Sequence, residues 1–223
     1  RARQRPPLKS DASFDGVRAA CAVALHMHQP LIPAGGDHLQ TAEIISNLKF
    51  MLDRPHIGDN HNAPVFLQCY RRMGEIVPRL LAEGARPRVL LDYSGTLLYG
   101  LRQMGAHDVF DALRPLATEP RLRPAVEWMG TAWGHAVAPS TPPQDFRLHV
   151  RAWLHHFAAI FGMDAACRVR GFSPPEMALP NHPDVAYEFV RTLREEGYEW
   201  VLVQEHTVER PENGEGPDRK HLP

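Results

Sequence analysis

Short apolar runs alternate along the chain with longer segments in which apolar residues recur at helical spacing. Five of the runs have the length and content of buried strands, and they fall within residues 17–25, 88–94, 125–133, 167–172 and 199–203. Helical spacing is found at residues 39–52, 65–83, 96–103, 107–116, 144–161 and 183–196. Because strands and helices alternate throughout, the pattern predicts an α/β fold with a parallel sheet or barrel.

Three of the predicted helices carry further detail. In residues 39–52 the apolar positions that share a helical face are Ile44, Ile45, Leu48 and Leu52. Residues 65–83 contain Pro78, which we expect to kink the last turns. Residues 144–161 follow two prolines, and their apolar face consists of Phe146, Val150, Trp153, Leu154, Phe157 and Ile160. This last segment is predicted to be a long amphipathic helix packed on the sheet.

The number of strands limits the architecture. An eight-stranded β/α barrel typically needs about 250 residues, whereas this chain has 223 residues and stops after its fifth recognisable strand. We therefore expect an incomplete barrel, or a fragment of one, in residues 17–208. Residues 1–16 are predicted to be an irregular basic arm, and residues 209–223 a polar tail or loop rich in Gly and Pro. We find no internal repeat and no domain linker.

Composition excludes some classes of partner. Lys and Arg number 25 and Asp and Glu 26, so the balanced charge gives no reason to expect a nucleic acid. No apolar run reaches membrane-spanning length, and no signal-peptide core follows the basic start. Cys21, Cys69 and Cys167 are widely spaced in apolar surroundings, which predicts buried reduced thiols and no disulfides. We expect a cytoplasmic protein with no membrane partner.

Polar side chains follow four of the predicted strands. His26 and His28 end the first strand, and the next three end near Asp92, His135 and Glu176. Because the carboxyl ends of parallel strands in a β/α protein converge on one basin, these side chains are expected to lie together. Two prolines precede Glu176, end its strand and stiffen the exit. The alternative role for this carboxylate is to cap the following helix.

Three motifs, in order, carry a resemblance to a known family. They are His28-Gln29-Pro30, Gly134-His135-Ala136 and Gly171-Phe172-Ser173-Pro174-Pro175-Glu176. In order and spacing they resemble the first three motif regions of glycoside hydrolase family 57, over about residues 20–205. The resemblance implies a distorted seven-stranded TIM-like barrel and a retaining reaction on α-glucans or related α-glycosides, of amylase, glucanotransferase or branching type. It implies a poly- or oligosaccharide substrate and no cofactor, and it leaves the oligomeric state open.

The resemblance also implies roles for single residues. Glu176 matches the nucleophile, and His28 and His135 match residues that hydrogen-bond the hydroxyls of the sugar being cleaved. These residue types suit the chemistry, because a carboxylate can form a glycosyl-enzyme intermediate and a neutral imidazole can both donate and accept. We add His26, Asp92 and Trp133 as candidates for substrate binding. Trp133 either stacks on a sugar or belongs to the core, and Asp92 either orients a histidine or caps the turn at Ser94-Gly95.

The proton donor of the family has no match in this chain. The acid/base aspartate lies well downstream of the nucleophile, and the context of Asp218, in the Gly- and Pro-rich tail, does not recommend that residue. Loss of general-acid assistance typically lowers a rate by about two to four orders of magnitude. We therefore expect this chain alone to be inactive on glucans.

Two other functions compete with this one. His26, His28, Asp92 and His135 are ligand types found in zinc sites, and metal-dependent family 38 α-mannosidases and polysaccharide deacetylases resemble this layout. His26 and His28 share a face only if the strand stays regular up to Pro30. A non-catalytic carbohydrate-binding remnant is the third possibility, favoured by the missing proton donor and disfavoured by the presence of Glu176. His149, His155 and His156 are expected to be structural or to face solvent.

Overall fold

The computed structural model describes residue 18, residues 21–34, residue 38, residues 40–204 and two short strands at 210–211 and 217–218. The predicted arm at 1–16 lies outside the described residues, as does most of the predicted tail at 209–223. Within the tail, Arg210–Pro211 pairs with Pro217–Asp218 in antiparallel orientation. No helix in the described part of the chain is long and apolar enough to cross a membrane.

Strands and helices alternate along the chain after an initial hairpin. In order they are β1 (Val23–Met27), β2 (Leu31–Ala34), β3 (Glu43–Ser46), α1 (Asn47–Asp53), α2 (Ala63–Ala82), β4 (Val89–Tyr93), α3 (Gly95–Gln103), α4 (His107–Thr118), β5 (Val126–Gly130), α5 (Pro143–Phe161), α6 (Met163–Ala166), β6 (Gly171–Phe172), α7 (Pro183–Glu195), β7 (Trp200–Val201), β8 (Arg210–Pro211) and β9 (Pro217–Asp218). Short 3₁₀ turns lie between some of them.

The main sheet contains five parallel strands. They lie side by side in the order β1, β4, β5, β6 and β7. The register places His26 opposite Asp92, and Asp92 opposite Met129 of the next strand. The strands therefore end at similar levels and bring their following loops to one edge of the sheet. The parallel α/β sheet expected from the sequence is confirmed, and its closure into a seven-stranded barrel stays a prediction.

A cluster of aromatic side chains forms the core between the sheet and α5. Trp153 is fully buried, stacks on Phe157 with ring centroids 4.9 Å apart, and donates its Nε1–H to the carbonyl oxygen of Tyr93 at 2.8 Å. The Tyr93 hydroxyl in turn donates to the Tyr70 carbonyl oxygen at 2.7 Å. Since the polar ends of these rings are hydrogen-bonded, their burial is stabilising, and it fixes α5 against the carboxyl end of β4. The apolar face predicted for residues 144–161 is buried throughout.

The prediction of a helix over residues 39–52 is wrong in its first half. Glu43–Ser46 is a strand that pairs antiparallel with Leu31–Ala34, and the helix occupies Asn47–Asp53. Ile44 lies on the hairpin and is 50% exposed, so its apolar side chain does not belong to a buried helical face. Ser46 marks the junction, because its Oγ accepts a hydrogen bond from the Leu48 N–H at 3.2 Å and caps the helix.

The expectation of buried cysteines is also wrong. Cys21 and Cys69 are exposed and Cys167 is partly buried, and all three are free thiols. Cys21 lies just before β1, the first strand in the order of the sheet. Cys69 is on the outer side of α2, next to the buried Tyr70.

Candidate active site

Strand β1 places two histidines on one face at the carboxyl end of the sheet. The rings of His26 and His28 are stacked, with centroids 6.1 Å apart and an interplanar angle of 25°. Residues two apart on a regular strand point to the same side, so the strand is regular enough to aim both rings into the site. His26 lies directly opposite Asp92 of β4, and its Nδ1 is 2.7 Å from Asp92 Oδ2.

Strand β4 supplies a buried carboxylate and then a helix cap. Asp92 is 3% exposed, and its Oδ1 has no hydrogen-bond partner in the described part of the chain. Ser94 Oγ lies 2.8 Å from His28 Nδ1 and accepts from the Leu97 N–H at 3.3 Å, which makes it the N-cap of α3. Ser94, and not Asp92, therefore caps the turn, and Asp92 orients His26. In the sequence, the signal for this cap is a serine that directly follows the apolar run of β4 and precedes Gly95 and Thr96.

The loop after β5 holds His135 against both histidines of β1. Its ring stacks on His28 with centroids 3.9 Å apart, and its Nε2 is 3.0 Å from His26 Nε2. The backbone of His135 has a φ of 57°, and its N–H donates to the Ala132 carbonyl oxygen at 3.0 Å. A left-handed conformation costs a non-glycine residue roughly 1–2 kcal/mol. The surrounding contacts must therefore fix this loop.

Two histidines on α5 supply part of that support. His149 Nδ1 accepts from the Gly134 N–H at 3.1 Å, and His156 Nδ1 accepts from Trp133 Nε1–H at 3.2 Å. A Cβ on Gly134 would lie 2.7 Å from His149 Cε1, so a larger residue there would push the His149 ring away from its hydrogen bond. The structural role of His149 and His156 agrees with the expectation from sequence. That they hold the loop of the second motif was not predicted. Their seven-residue spacing places both on one face of α5 and was the available signal. His155 is exposed.

Glu176 follows β6 in a short 3₁₀ turn at Pro175–Met177. Its φ is 57°, its side chain is 71% exposed, and its Oε1 lies 3.8 Å from His135 Nδ1. The Ser173 N–H donates to the Gly130 carbonyl oxygen at 2.8 Å and ties the segment to β5. Helix α7 begins only at Pro183, so the alternative in which Glu176 caps the following helix is wrong.

The three site imidazoles differ in their affinity for protons. Burial, together with the neighbouring His135 and His26, lowers the pKa of His28 to about 4. Burial and the nearby His26 also lower the pKa of His135, against an opposing effect of Glu176 and Asp92. The hydrogen bond to Asp92 raises the pKa of His26 despite partial burial. The cluster therefore combines two rings that favour the neutral form with one that favours the charged form.

The nitrogens that remain for a ligand are few. His26 uses both ring nitrogens within the cluster, and His28 uses Nδ1 on Ser94. What is left is Nε2 of His28 and Nδ1 of His135, which faces Glu176. Among residues that the structure describes, no group of three or more His, Cys, Asp or Glu side chains is arranged to hold a metal ion. A groove of about 480 Å³ lies between α5 and the loop after β5, lined in part by Trp133, Asp145 and His149. None of the residues that line it belongs to the cluster of His26, His28, Asp92, His135 and Glu176.

A parallel α/β sheet with a carboxylate and neutral imidazoles at the carboxyl ends of its strands is the layout of an enzyme site for a polar substrate. The model of glycosyl hydrolase family 57 matches residues 22–217. This chain belongs to glycosyl hydrolase family 57, and the resemblance inferred from the three motifs is confirmed.

Two further comparisons were made. A comparison with curated protein sequences found no match. Among solved structures, the 4-alpha-glucanotransferase from Thermococcus litoralis is similar, with 25% sequence identity and a TM-score of 0.48. The similarity covers 61% of this chain and 19% of that chain, so the match spans about a fifth of that structure's length.

Proposed function

We propose that this chain supplies the nucleophile and sugar-binding histidines of a retaining enzyme that hydrolyses or transfers α-glucans. The observation that carries the proposal is the placement of Glu176 after β6, in a left-handed backbone conformation, with its carboxylate 3.8 Å from His135. Strained non-glycine residues cluster at functional sites, where the surrounding structure holds them in place. Of the three non-glycine residues with positive φ in the described part of the chain, His135 and Glu176 fall in the motifs that resemble the family, and the third, Met177, directly follows Glu176.

The proposed reaction proceeds in two steps. Glu176 attacks the anomeric carbon, the bond to the leaving oxygen breaks, and a proton passes to that oxygen from a general acid. A water or sugar hydroxyl then attacks the glycosyl-enzyme, gives its proton to the same general acid, which now acts as base, takes the glycosyl group and releases Glu176. Hydrolysis, chain transfer and branching share this intermediate and differ in the acceptor that reaches it.

The histidines and the tryptophan are proposed to hold the sugar. His28 and His135 have lowered pKa values, so at pH 6.5 they are mainly neutral and can donate and accept hydrogen bonds. Trp133 is half-buried with its Nε1 bound to His156, and its ring lines the groove between α5 and the loop after β5, where a sugar can stack. His26 and Asp92 complete the set, with Asp92 acting through His26 because it is buried.

We assign no general acid among the described residues. A retaining glycosidase needs a second carboxyl roughly 5 Å from the nucleophile. Asp92 is 3% exposed and bonded to His26, and the side chain of Asp218 lies outside the described residues. We therefore expect turnover of glucans by the full-length protein and none by this chain alone.

The substitution Glu176→Gln in the full-length protein tests the assignment. Gln keeps the shape of the side chain but cannot form the glycosyl ester, so kcat for an α-glucan should fall at least about 1,000-fold. A second variant, Glu176→Ala, should recover turnover of an activated aryl α-glucoside in the presence of azide. In that reaction azide replaces the carboxylate, and the product is a glycosyl azide of inverted configuration.

The matched control is Glu83→Gln. Glu83 ends α2, far from the carboxyl edge of the sheet, and its side chain is exposed with a loose pair to Arg79 at 3.9 Å. This variant should retain full activity. Unchanged turnover by Glu176→Gln would exclude Glu176 as the nucleophile.

Carbohydrate binding without cleavage is the second candidate function, and the lack of an assigned general acid favours it. If it holds, calorimetry should detect binding of a maltooligosaccharide to the full-length protein, while no glucan is consumed or rearranged. Nothing in the described geometry favours the metal-dependent alternative that uses His26, His28, Asp92 and His135.

A further inference from the structure

Four titratable side chains form a continuous line from the buried sheet to the exposed carboxylate. Asp92 Oδ2 is 2.7 Å from His26 Nδ1, His26 Nε2 is 3.0 Å from His135 Nε2, and His135 Nδ1 is 3.8 Å from Glu176 Oε1. We propose that Asp92 and His26 are positioning residues that keep the proton of neutral His135 on Nδ1, so that its N–H faces Glu176. The catalytic meaning of this arrangement rests on the function proposed for Glu176, whereas the arrangement itself does not.

The hydrogen bonds along the line fix where each proton lies. Ionised Asp92 can only accept, so His26 Nδ1 carries a proton. The two facing Nε2 atoms, 3.0 Å apart, share one proton, because one must donate and the other accept. If His26 is charged it is the donor, and neutral His135 must then carry its own proton on Nδ1. If His26 is neutral, the His135 Nε2–H donates instead, and a bare Nδ1 lone pair faces Glu176.

The surroundings of His26 favour the charged form. A carboxylate as buried as Asp92 calls for a cationic or donating partner, and its Oδ1 has no other hydrogen bond in the described part of the chain. The titratable groups facing His26 are Asp92 from β4, Glu176 from the loop after β6, His135 from the loop after β5, and His28 from its own strand. The two carboxylates raise the pKa of His26 by more than burial lowers it.

This balance defines a pH window. The pKa of His26 is raised above 6.5 and that of His135 is lowered below it. Between the two values His26 is charged and His135 is neutral with its proton on Nδ1. Above the pKa of His26 the proton of His135 moves to Nε2, and the ring presents a lone pair to Glu176. The first state stabilises ionised Glu176 and offers a donor to a sugar hydroxyl, and the second does neither.

Nitrogen-15 NMR of the full-length protein tests the inference, because long-range proton–nitrogen correlations report which ring nitrogen carries the proton. The variants His26→Gln and His135→Gln identify the signals. In the unmutated protein near pH 6.5, His135 should be protonated on Nδ1, and its proton should move to Nε2 as the pH rises through the titration of His26. In Asp92→Asn the same change should occur at lower pH, because His26 has lost its carboxylate partner.

The control is Asp108→Asn, an exposed aspartate on α4, which should leave the titration unchanged. Protonation of His135 on Nε2 at pH 6.5, or a tautomer that does not follow the titration of His26, would overturn the inference. Asp92→Asn should also move the alkaline limb of the kcat/KM profile to lower pH. The NMR result needs no turnover, so a failure of Glu176 as the nucleophile and a failure of the positioning pair are distinguishable.

Discussion

His135 and Glu176 share a backbone conformation that side chains rarely adopt. Both have a φ of 57°, and both lie in loops that follow neighbouring strands. At roughly 1–2 kcal/mol each, the strain requires compensation by nearby contacts. Gly134 is held by His149, and Ser173 is held by the carbonyl oxygen of Gly130. The supporting contacts come from backbone and helix residues, so the two motif side chains remain available for a substrate.

Ser94 caps α3 and also contacts the ring of His28. Its replacement by Ala should therefore affect both the stability of α3 and the orientation of His28. The loss of an N-cap hydroxyl typically costs about 1 kcal/mol of stability. The loss of its contact with His28 Nδ1, 2.8 Å away, frees the ring to rotate. We expect Ser94→Ala to lower kcat/KM for a glucan about tenfold, a loss comparable to one hydrogen bond. Urea unfolding and steady-state kinetics measure the two effects.

Ser46→Ala provides a matched control. Ser46 is as buried as Ser94 and caps α1 in the same way, without a contact to the histidines. Its substitution should cost a similar free energy of unfolding and leave kcat/KM unchanged. Equal losses of activity in the two variants would mean that Ser94 acts through stability alone.

Residues at strand ends were predictable from the sequence, and the residues that support them were not. His26, His28, Asp92, His135 and Glu176 stand directly after apolar runs, and parallel strands bring such positions together. His149 and His156 lie on α5, and their seven-residue spacing indicates that they share a face but not that this face meets the Gly134 loop. Such contacts depend on how a helix sits on the sheet, which periodicity does not specify.

At the scale of elements, burial of one face decided which predictions succeeded. Strands β4, β5 and β6 and helices α2, α3, α4, α5 and α7 agree with the apolar pattern because each buries side chains in the core. The expectation that the first strand is buried is wrong, because no residue of β1 is fully buried and Val23 is 52% exposed. The hairpin of β2 and β3 was not predicted, because its strands are short and Ile44 is exposed. The apolar residues of β3 therefore fit the spacing of a helical face that continues into α1. Pro78 lies within the continuous helix α2, near its last turn.

Close packing of α2 against α4 depends on Gly74. A Cβ at this position would lie 2.2 Å from the carbonyl oxygen of Ala112, an overlap of more than 1 Å with backbone that cannot rotate away. Ala gains roughly 1 kcal/mol of helix propensity over Gly, whereas overpacking costs typically 1–3 kcal/mol and sometimes more. Because the overlap is severe, the cost of overpacking should exceed the gain in helix propensity, and Gly74→Ala should destabilise the protein by about 2 kcal/mol.

The midpoint of urea unfolding measures this effect, with an unchanged m-value as a check that unfolding stays two-state. Gln68→Ala is the control, an exposed position on the same helix, and it should stay within about 0.5 kcal/mol. A stability of Gly74→Ala equal to or above that of the unmutated protein would show that the two helices separate freely.

At the scale of the whole molecule, histidines couple folding to pH in two opposite directions. Burial lowers the pKa of His28, His135, His149 and His156. In the unfolded chain these groups take up protons below about pH 6.5, and the folded protein resists, so their contribution to stability is lost as the pH falls. His26 acts in the opposite sense, because its raised pKa gives stability that is present below pH 6.5 and is lost as the pH rises.

In the described part of the chain, four histidines have a lowered pKa and one has a raised pKa. We therefore expect the free energy of unfolding to fall between about pH 6.5 and pH 4. His28, with a pKa of about 4, contributes up to roughly 3 kcal/mol, which solvent screening reduces for a half-buried ring. The variant His28→Gln should show a smaller drop in its urea midpoint over this range, and His155→Gln, exposed on α5, should keep the full drop. Carboxylates that titrate near pH 4 affect all three proteins alike and cancel in the comparison. If His28→Gln loses as much stability as the unmutated protein, His28 is not held neutral by the fold, and the neutral imidazole proposed for sugar binding loses its physical basis.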